Sequence, residues 1–310
     1  LTEVVAGIMA LIDDQELTID AIMKIIKGPD FPTGGIICGI SGIKEAFATG
    51  RGSLTIRARI NFEELKNGKD AIIVRELPYQ VNKAVLVEQI AGLVKDKKLV
   101  GISDLRDESD RNGMRIYIEL KRDANKEIVL NQLYKHTNMQ SFFGINNVCL
   151  VNGEPKLLNI KEILSEYVKH REEVVTKRTQ FDLRKAEADA HILEGLIVCL
   201  DNLDKIIKLI RASKTVDEAR QGFMTNFPLN LIQAQAILDL KLQKLTQLER
   251  AKIEDEYKAL LSLIAELKEI LASRKRILGI VKKELKEIDD KYGDERRTDI
   301  GITAEDINIE

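Results

Sequence analysis

The amino-acid sequence predicts an α+β protein: a mixed α/β domain over residues 1–155, then a long antiparallel two-helix coiled coil capped by a small helical domain. Three observations carry this. The first half is a succession of short alternating or helical segments punctuated by Gly, Pro and Asn. Two long helical patterns, Lys156–Ala212 and Leu248–Asp290, flank a loop-rich insert. The second pattern carries a ladder in alternating steps of three and four: Tyr257, Leu260, Ile264, Leu267, Leu271, Arg274, Leu278, Val281, Leu285 and Ile288. A seam of this period needs a partner, because one helix cannot bury its own stripe. The first pattern, running back the other way, supplies it.

Taken in order, Thr2 opens a helix through Leu11, and Thr18 or Asp20 caps another through Ile26. Lys27–Gly35 holds two prolines and three glycines and excludes regular structure. Gly42–Ala48 is a short helix, and Thr49–Gly52 turns the chain into a strand over Ser53–Ile60. Ala71–Leu77 answers that strand across a Lys66–Lys69 hairpin turn. Asn82 caps a helix from Lys83 to Lys97. A second hairpin joins Gly101–Arg106 to Met114–Leu120 around Asn112-Gly113, and Asn125–Lys135 is helical before a strand at Ile145–Val151.

The outgoing helix occupies 156–211, with Ile163, Tyr167, Val174 and Phe181 as its main stripe, Leu164, Val168 and Val175 beside it, and a break near Gly195. The insert, 212–248, reads as an Asp217-capped helix, an Asn226-Phe227-Pro228 turn, and a helix over Asn230–Leu245. The returning helix fills 249–292, and 293–310 reads as a linker tail towards a further domain. The insert is more apolar than so small a unit can hide alone. Phe227, Ile232, Ala236, Ile237, Leu240 and Leu245 are therefore the expected contact surface of a homodimer.

Composition narrows the function by exclusion. With 48 basic against 50 acidic residues, net charge gives no argument for nucleic acid or for membrane. Three scattered cysteines, Cys38, Cys149 and Cys199, argue for a reducing compartment and against a disulfide frame or zinc site. No apolar run reaches the ~18 residues of a membrane span. The chain opens on Leu1 in mid-pattern and reads as an excised fragment. Asp104, Asp107, Glu108 and Asp110 are dense enough to suggest a metal site. Their spacing fits no calcium loop, and Arg106, Arg111 and Arg115 lie among them, so a salt-bridged hairpin turn is the better reading. His136, His170 and His191 have no ligand spacing, and no phosphate loop or nucleophile set stands out, so neither catalytic nor metal residues are assigned. Basic residues give the one positive hint. Arg51, Arg57 and Arg59, with Lys44 and Lys83, would line a surface that follows phosphates, Arg57 and Arg59 sharing a face through their spacing of two.

Gly28-Pro29-Asp30-Phe31-Pro32-Thr33, Gly50-Arg51-Gly52, Ile56-Arg57-Ala58-Arg59 and Pro78-Tyr79-Gln80-Val81-Asn82-Lys83 resemble the A subunits of bacterial type IIA DNA topoisomerases. So do Arg106–Asp110, Gly113–Ile116, His170–Val175, Gln233–Leu240 and Lys244–Thr246, in order along nearly the whole chain. The last stretches look more like gyrase A than like its topoisomerase IV relative, a decatenase. The resemblance implies an ATP-dependent isomerase that cuts one duplex through a tyrosyl-phosphate link, passes a second through, and, in gyrase, introduces negative supercoils. Residues 1–155 would be the tower domain, and the helix pair with its insert the exit gate. The nucleophilic tyrosine would lie upstream and a wrapping domain downstream, leaving this part inactive alone. Implied partners are a second copy, the gyrase B subunit in an A2B2 holoenzyme, and double-stranded DNA. No cofactor is expected here, Mg2+ and ATP being used through the B subunit. The implied location is the bacterial cytoplasm, at the nucleoid. The alternative, read without the resemblance, is a non-enzymatic coiled-coil scaffold that tethers DNA.

Overall fold

The computed structural model describes residues 1–65, 68–240 and 247–301. It divides into two compact units, Leu1–Val168 with Leu285–Glu310, and Lys169–Glu284. Both boundaries fall inside long helices.

The first unit opens with α1 (Thr2–Asp13), α2 (Ile19–Ile25), β1 (Ile36–Cys38), α3 (Ser41–Thr49), β2 (Arg51–Arg57), β3 (Arg59–Glu64) and β4 (Asp70–Glu76). It continues through α4 (Lys83–Lys95), β5 (Ile102–Asp107), β6 (Ile116–Leu120), α5 (Lys126–His136), β7 (Gln140–Asn146), β8 (Val148–Val151) and β9 (Glu154–Leu157), and closes with β10 (Asp299–Gly301). Two four-stranded sheets result, in the orders β10-β1-β2-β7 and β3-β4-β6-β5, with β8–β9 a separate hairpin. Side-chain oxygens of Thr18, Asn82 and Asn125 cap α2, α4 and α5 as expected, whereas α1 has no side-chain cap. Ile72, Val74, Ile116, Ile118 and Leu120 form the core of the second sheet with Leu86 and Ile90 of α4 and Val129 and Leu133 of α5. Each such side chain contributes roughly 1.5–3 kcal/mol on burial.

Between β2 and β3 the chain changes sheets. Ala58 is wholly buried at the crossing and donates its N–H to the Met139 carbonyl (2.8 Å). The single strand expected over Ser53–Ile60 is therefore two strands in different sheets, and β4 pairs with β3 alone among them. Gly42 lets α3 lie directly on β2: a Cβ there would stand 2.1 Å from the Ser53 carbonyl oxygen. Where a lone strand is expected over Ile145–Val151, a β8–β9 hairpin forms, and it has its own signal in Asn152-Gly153, with φ of 54° and 84°.

The segment expected to be a linker tail is, as far as Gly301, part of this unit. β10 pairs in parallel with β1, Thr298 is wholly buried, and its hydroxyl accepts the Phe31 N–H at 2.8 Å. Asp30 accepts the N–H groups of Arg297 and Thr298, while Arg296 donates to both Glu3 oxygens and to the Gly28 and Pro29 carbonyls. The Gly28–Gly35 loop, irregular by composition, is thus fixed by side chains from the far end of the chain.

The second unit contains most of α6 (Ile160–Asp201), then α7 (Leu203–Ala212), α8 (Val216–Asn226), α9 (Leu231–Leu238), α10 (Gln247–Leu271) and most of α11 (Arg274–Tyr292). Ion pairs fix the direction of the long helices: Glu172 with Arg274, Glu187 with Lys268 and Asp201 with Arg250 run in opposite numerical order, as antiparallel helices require. The outgoing helix breaks at Asn202, not near Gly195. The returning one also breaks, between Leu271 and Arg274. Across it the expected ladder holds at Leu267, Val281 and Leu285, which are buried, while Ile277 is buried in place of Leu278, Arg274 turns out to Glu172 and Ile288 is 40% exposed. On α6 the seam is Val175, Thr179, Ala186 and Ala190, and the expected Phe181 is 59% exposed. Thr179 satisfies its hydroxyl on the Val175 carbonyl at 2.8 Å. Beyond the pair, Leu196, Cys199, Leu200, Ile206, Phe223, Leu229, Ala234, Ile237 and Ile253 form one helical core.

Candidate nucleic-acid interface and self-association surface

Strands β2 and β7 pair Arg51 with Asn146, Ser53 with Gly144, Thr55 with Phe142 and Arg57 with Gln140. Alternation puts these eight on one face of the sheet, and the opposite face carries Leu54 and Ile56, both buried. The outer face is solvated: Phe142 is 77% exposed and a Cβ on Gly144 would meet nothing within 4 Å. Arg51 and Arg57 stand at its two ends, roughly 20 Å apart along the strand. That distance is about six base-pair rises of duplex DNA. Arg57 is oriented by a hydrogen bond from Nε to Gln140 Oε1 (2.7 Å) and by stacking over Tyr134, 5.0 Å from the ring centre. Neither arginine forms an ion pair among the described residues. Burial pushes the Tyr134 hydroxyl up to about 12 against the pull of the Arg57 cation, so the ring is a neutral platform, its hydroxyl donating to the Ala58 carbonyl.

The other three cations expected on this surface are placed differently. Because the chain changes sheets at Ala58, Arg59 does not share a face with Arg57. It pairs with Glu76 (3.0 Å) and Asp299 (2.5 Å) and ties β3 to β10. Lys83 is held by Asp107 at 2.7 Å. Lys44 is exposed on α3, which packs on the Gly52 face of β2: a Cβ on Gly52 would stand 2.8 Å from the Ala46 Cβ. That is the opposite side from Arg51 and Arg57. Sequence spacing does not single out Phe142, Gly144 or Gln140; the alternation in Gln140–Asn146 is the available signal.

The acidic cluster is a hairpin network. Arg106 bridges Asp104 and Glu108, and Arg115 bridges Glu108 and Glu63. Lys83 and Ser109 hold the Asp107 carboxyl down to about 2, and Asp110 closes the turn to Gly113. Among the described residues no three His, Cys, Asp or Glu side chains converge as metal ligands, and no helix is long and apolar enough to cross a membrane. Tyr79 packs against Phe31 and Phe143, and Tyr117 lies under Arg106 at 4.5 Å. Tyr117 and Tyr134 each lie with the ring under one arginine.

In the helical unit the expected contact residues separate. Ile237 is 4% exposed in the unit's own core, and Phe227 and Leu240 pack against that core while half-buried. Ala236 is half-buried, and Leu245 lies outside the described residues. Ile232 is 61% exposed, and its neighbour Leu231, which is not among the expected contacts, is 57% exposed. Two large aliphatic side chains at the start of α9 are thus an exposed apolar surface among the described residues.

Residues 1–286 match the family described as the A subunit of DNA gyrase/topoisomerase IV. The DNA gyrase A subunit of Clostridium acetobutylicum is 61% identical over 310 residues, covering 100% of this chain and 37% of that protein. That of Halalkalibacterium halodurans is 56% identical over 305 residues (98% of this chain, 36% of that protein), and that of Brachyspira hyodysenteriae 50% over 311 residues (100% and 37%). The chain spans a little over a third of the length of the curated relatives it matches. With continuous likeness from end to end and the expected α+β architecture, the chain belongs to the A-subunit family of DNA gyrase and topoisomerase IV.

Proposed function

We propose that this chain is the part of a DNA gyrase A subunit that supports the cut duplex and closes the exit gate of an ATP-dependent supercoiling enzyme. The observation that carries the reading is 61% identity to a gyrase A subunit over the entire chain. Residues 1–155 act as the tower, with Arg51 and Arg57 on the outer sheet face meeting phosphates and Phe142 between them against the sugar edge. The helix pair acts as the arm, and the start of α9, with Leu231 and Ile232, as the surface through which two copies close. The nucleophilic tyrosine, the wrapping domain, and the Mg2+ and ATP sites belong to other parts of the holoenzyme, the last two to a B subunit. The setting is the bacterial cytoplasm.

Two physical points support this division. Contacts to phosphates position a duplex without reading its sequence, which suits an enzyme acting throughout a chromosome. An exposed aliphatic pair gives a contact weak enough to part and reform. The test is to join the chain to the remainder of its gyrase A polypeptide, supply the gyrase B partner with ATP and Mg2+, and follow relaxed plasmid. Negative supercoiling is the expected product. Decatenation without supercoiling would move the chain to topoisomerase IV, and an absence of strand passage would leave only a tethering scaffold.

A further inference from the structure

The start of α9 is held by two side chains whose orientations the backbone dictates. Asn230 Oδ1 accepts the Gln233 N–H at 3.0 Å, and Gln233 Oε1 accepts the Asn230 N–H at 3.1 Å. With both oxygens engaged, both amide nitrogens turn to His191 of α6. Gln233 Nε2 donates to the His191 carbonyl at 2.8 Å and lies 3.3 Å from ring Nδ1, while Asn230 Nδ2 lies 2.5 Å from ring Nε2. An amide NH2 donates and does not accept. Both ring nitrogens face one, and the shorter contact, with Gln233 Nε2 already donating to the His191 carbonyl, assigns Nε2 as the acceptor and the ring proton to Nδ1, on the side of Glu194 Oε2 at 3.6 Å. Gly195 makes the approach feasible, since a Cβ there would stand 2.7 Å from Gln233 Cβ and Cγ. Gln233 itself is 4% exposed.

We infer that His191 is a positioning residue for self-association: its neutral ring locks the Asn230–Gln233 cap, and the cap fixes Leu231 and Ile232, the first two residues of α9. A second proton, on Nε2, would point at the Asn230 amide hydrogens, and Asn230 cannot rotate without surrendering the Gln233 N–H. Among the described residues the charged group within ion-pair distance of the ring is Glu194, on the same helix, and it lies on the Nδ1 side, where it cannot relieve the Nε2 contact. From α9 the ring is faced by the two neutral amides. This inference rests on the reading of α9 as the contact surface, and the experiment separates the two.

Backbone hydrogen exchange at Gln233 and Ala234, corrected for intrinsic rates, and the dimer dissociation constant from sedimentation equilibrium are measured on the 310-residue chain. His191→Leu is expected to lose about tenfold in protection and in dimer affinity, the size of a lost helix cap. His191→Gln, whose amide oxygen can accept from Asn230, should keep both near wild type, a rescue that lost packing alone would not give. Equal Gln233 protection in wild type and His191→Leu, or the same loss in His191→Gln as in His191→Leu, overturns the inference. A wild-type chain that stays monomeric sinks the contact-surface reading, while the exchange data still decide whether His191 holds the cap.

Discussion

In the α/β unit Ile72, Ile73, Val74, Ile116 and Ile118 are wholly buried in adjacent strands, so consecutive side chains on both faces of the sheet are covered. In the helical unit burial follows a narrow seam, Val175, Thr179, Ala186 and Ala190 against Leu267, Ile277 and Val281, and widens only around Phe223. A strand covered on both faces hides every side chain, whereas a helix in a two-helix pair hides one stripe and leaves the rest in water. The β3-β4-β6-β5 sheet of the first unit is therefore enclosed on both faces, while the other sheet keeps Phe142 in water. The second leaves Leu231 and Ile232 exposed, and its stability rests on a few positions. Phe223→Ala should cost about 3–5 kcal/mol and remove the helical unit's transition in calorimetry, leaving that of the α/β unit in place. Ile118→Ala should cost about 2–5 kcal/mol in the other transition only. If either substitution lowers both transitions together, the contrast between the units is wrong.

The α/β unit owes part of its cohesion to the segment 294–301. Arg296 holds the Glu3 carboxyl below the usual range through paired hydrogen bonds, with burial opposing. At Asp30 burial raises the carboxyl, and the N–H groups of Thr298 and Arg297 outweigh it to give a net lowering. Both groups bind protons less readily when folded. Their contribution is complete above the unfolded carboxyl values of about 4 and is lost as pH falls through the lower folded ones. Arg296→Met, which strands Glu3 and two carbonyls, should cost about 2–3 kcal/mol at pH 7. It should also flatten the acid limb of the Tm profile for this unit, leaving the helical unit's transition where it was.

Arg57 and Arg59 carry the same contrast down to single residues. Duplex binding by fluorescence anisotropy should weaken about three- to tenfold for Arg51→Ala or Arg57→Ala, with the salt slope reduced by about one. Arg59→Ala should leave binding unchanged and cost about 1 kcal/mol of stability through the lost tie between β3 and Asp299. Equal losses of affinity at positions 57 and 59 would restore the single strand that the sequence implied.

Elements and their order were legible because local signals decide them: Asn82 and Asn125 announce helix starts, and a seam period announces a paired helix. The change of sheet at Ala58 was not, since a residue that crosses between sheets has the same alternation as one that continues a strand. Nor was the docking of Arg296 and Thr298 on the Gly28–Gly35 loop, a contact between opposite ends of the chain with no local trace. Of the five cations proposed from spacing, Arg51 and Arg57 share the open face. Charge alone could not say that Arg59 and Lys83 are spent on Glu76, Asp299 and Asp107.

The helix seam shows how a correct period can still give a wrong phase. Val174 and Phe181 sit seven apart, and so do Val175 and Asp182, so apolar character favoured the former pair as the stripe. The structure buries Val175, Thr179, Ala186 and Ala190, because small side chains let two helices approach to the 8–10 Å of ordinary packing. Phe181 is left 59% exposed. Phe181→Gln should therefore change the unfolding free energy by less than about 0.5 kcal/mol, whereas Val175→Ala, at a wholly buried position, should cost about 1–2.5 kcal/mol. Denaturant titration with the slope held constant separates the two. A larger loss at Phe181 than at Val175 would rotate α6 by most of one residue and return the seam to the stripe that hydrophobicity alone selects.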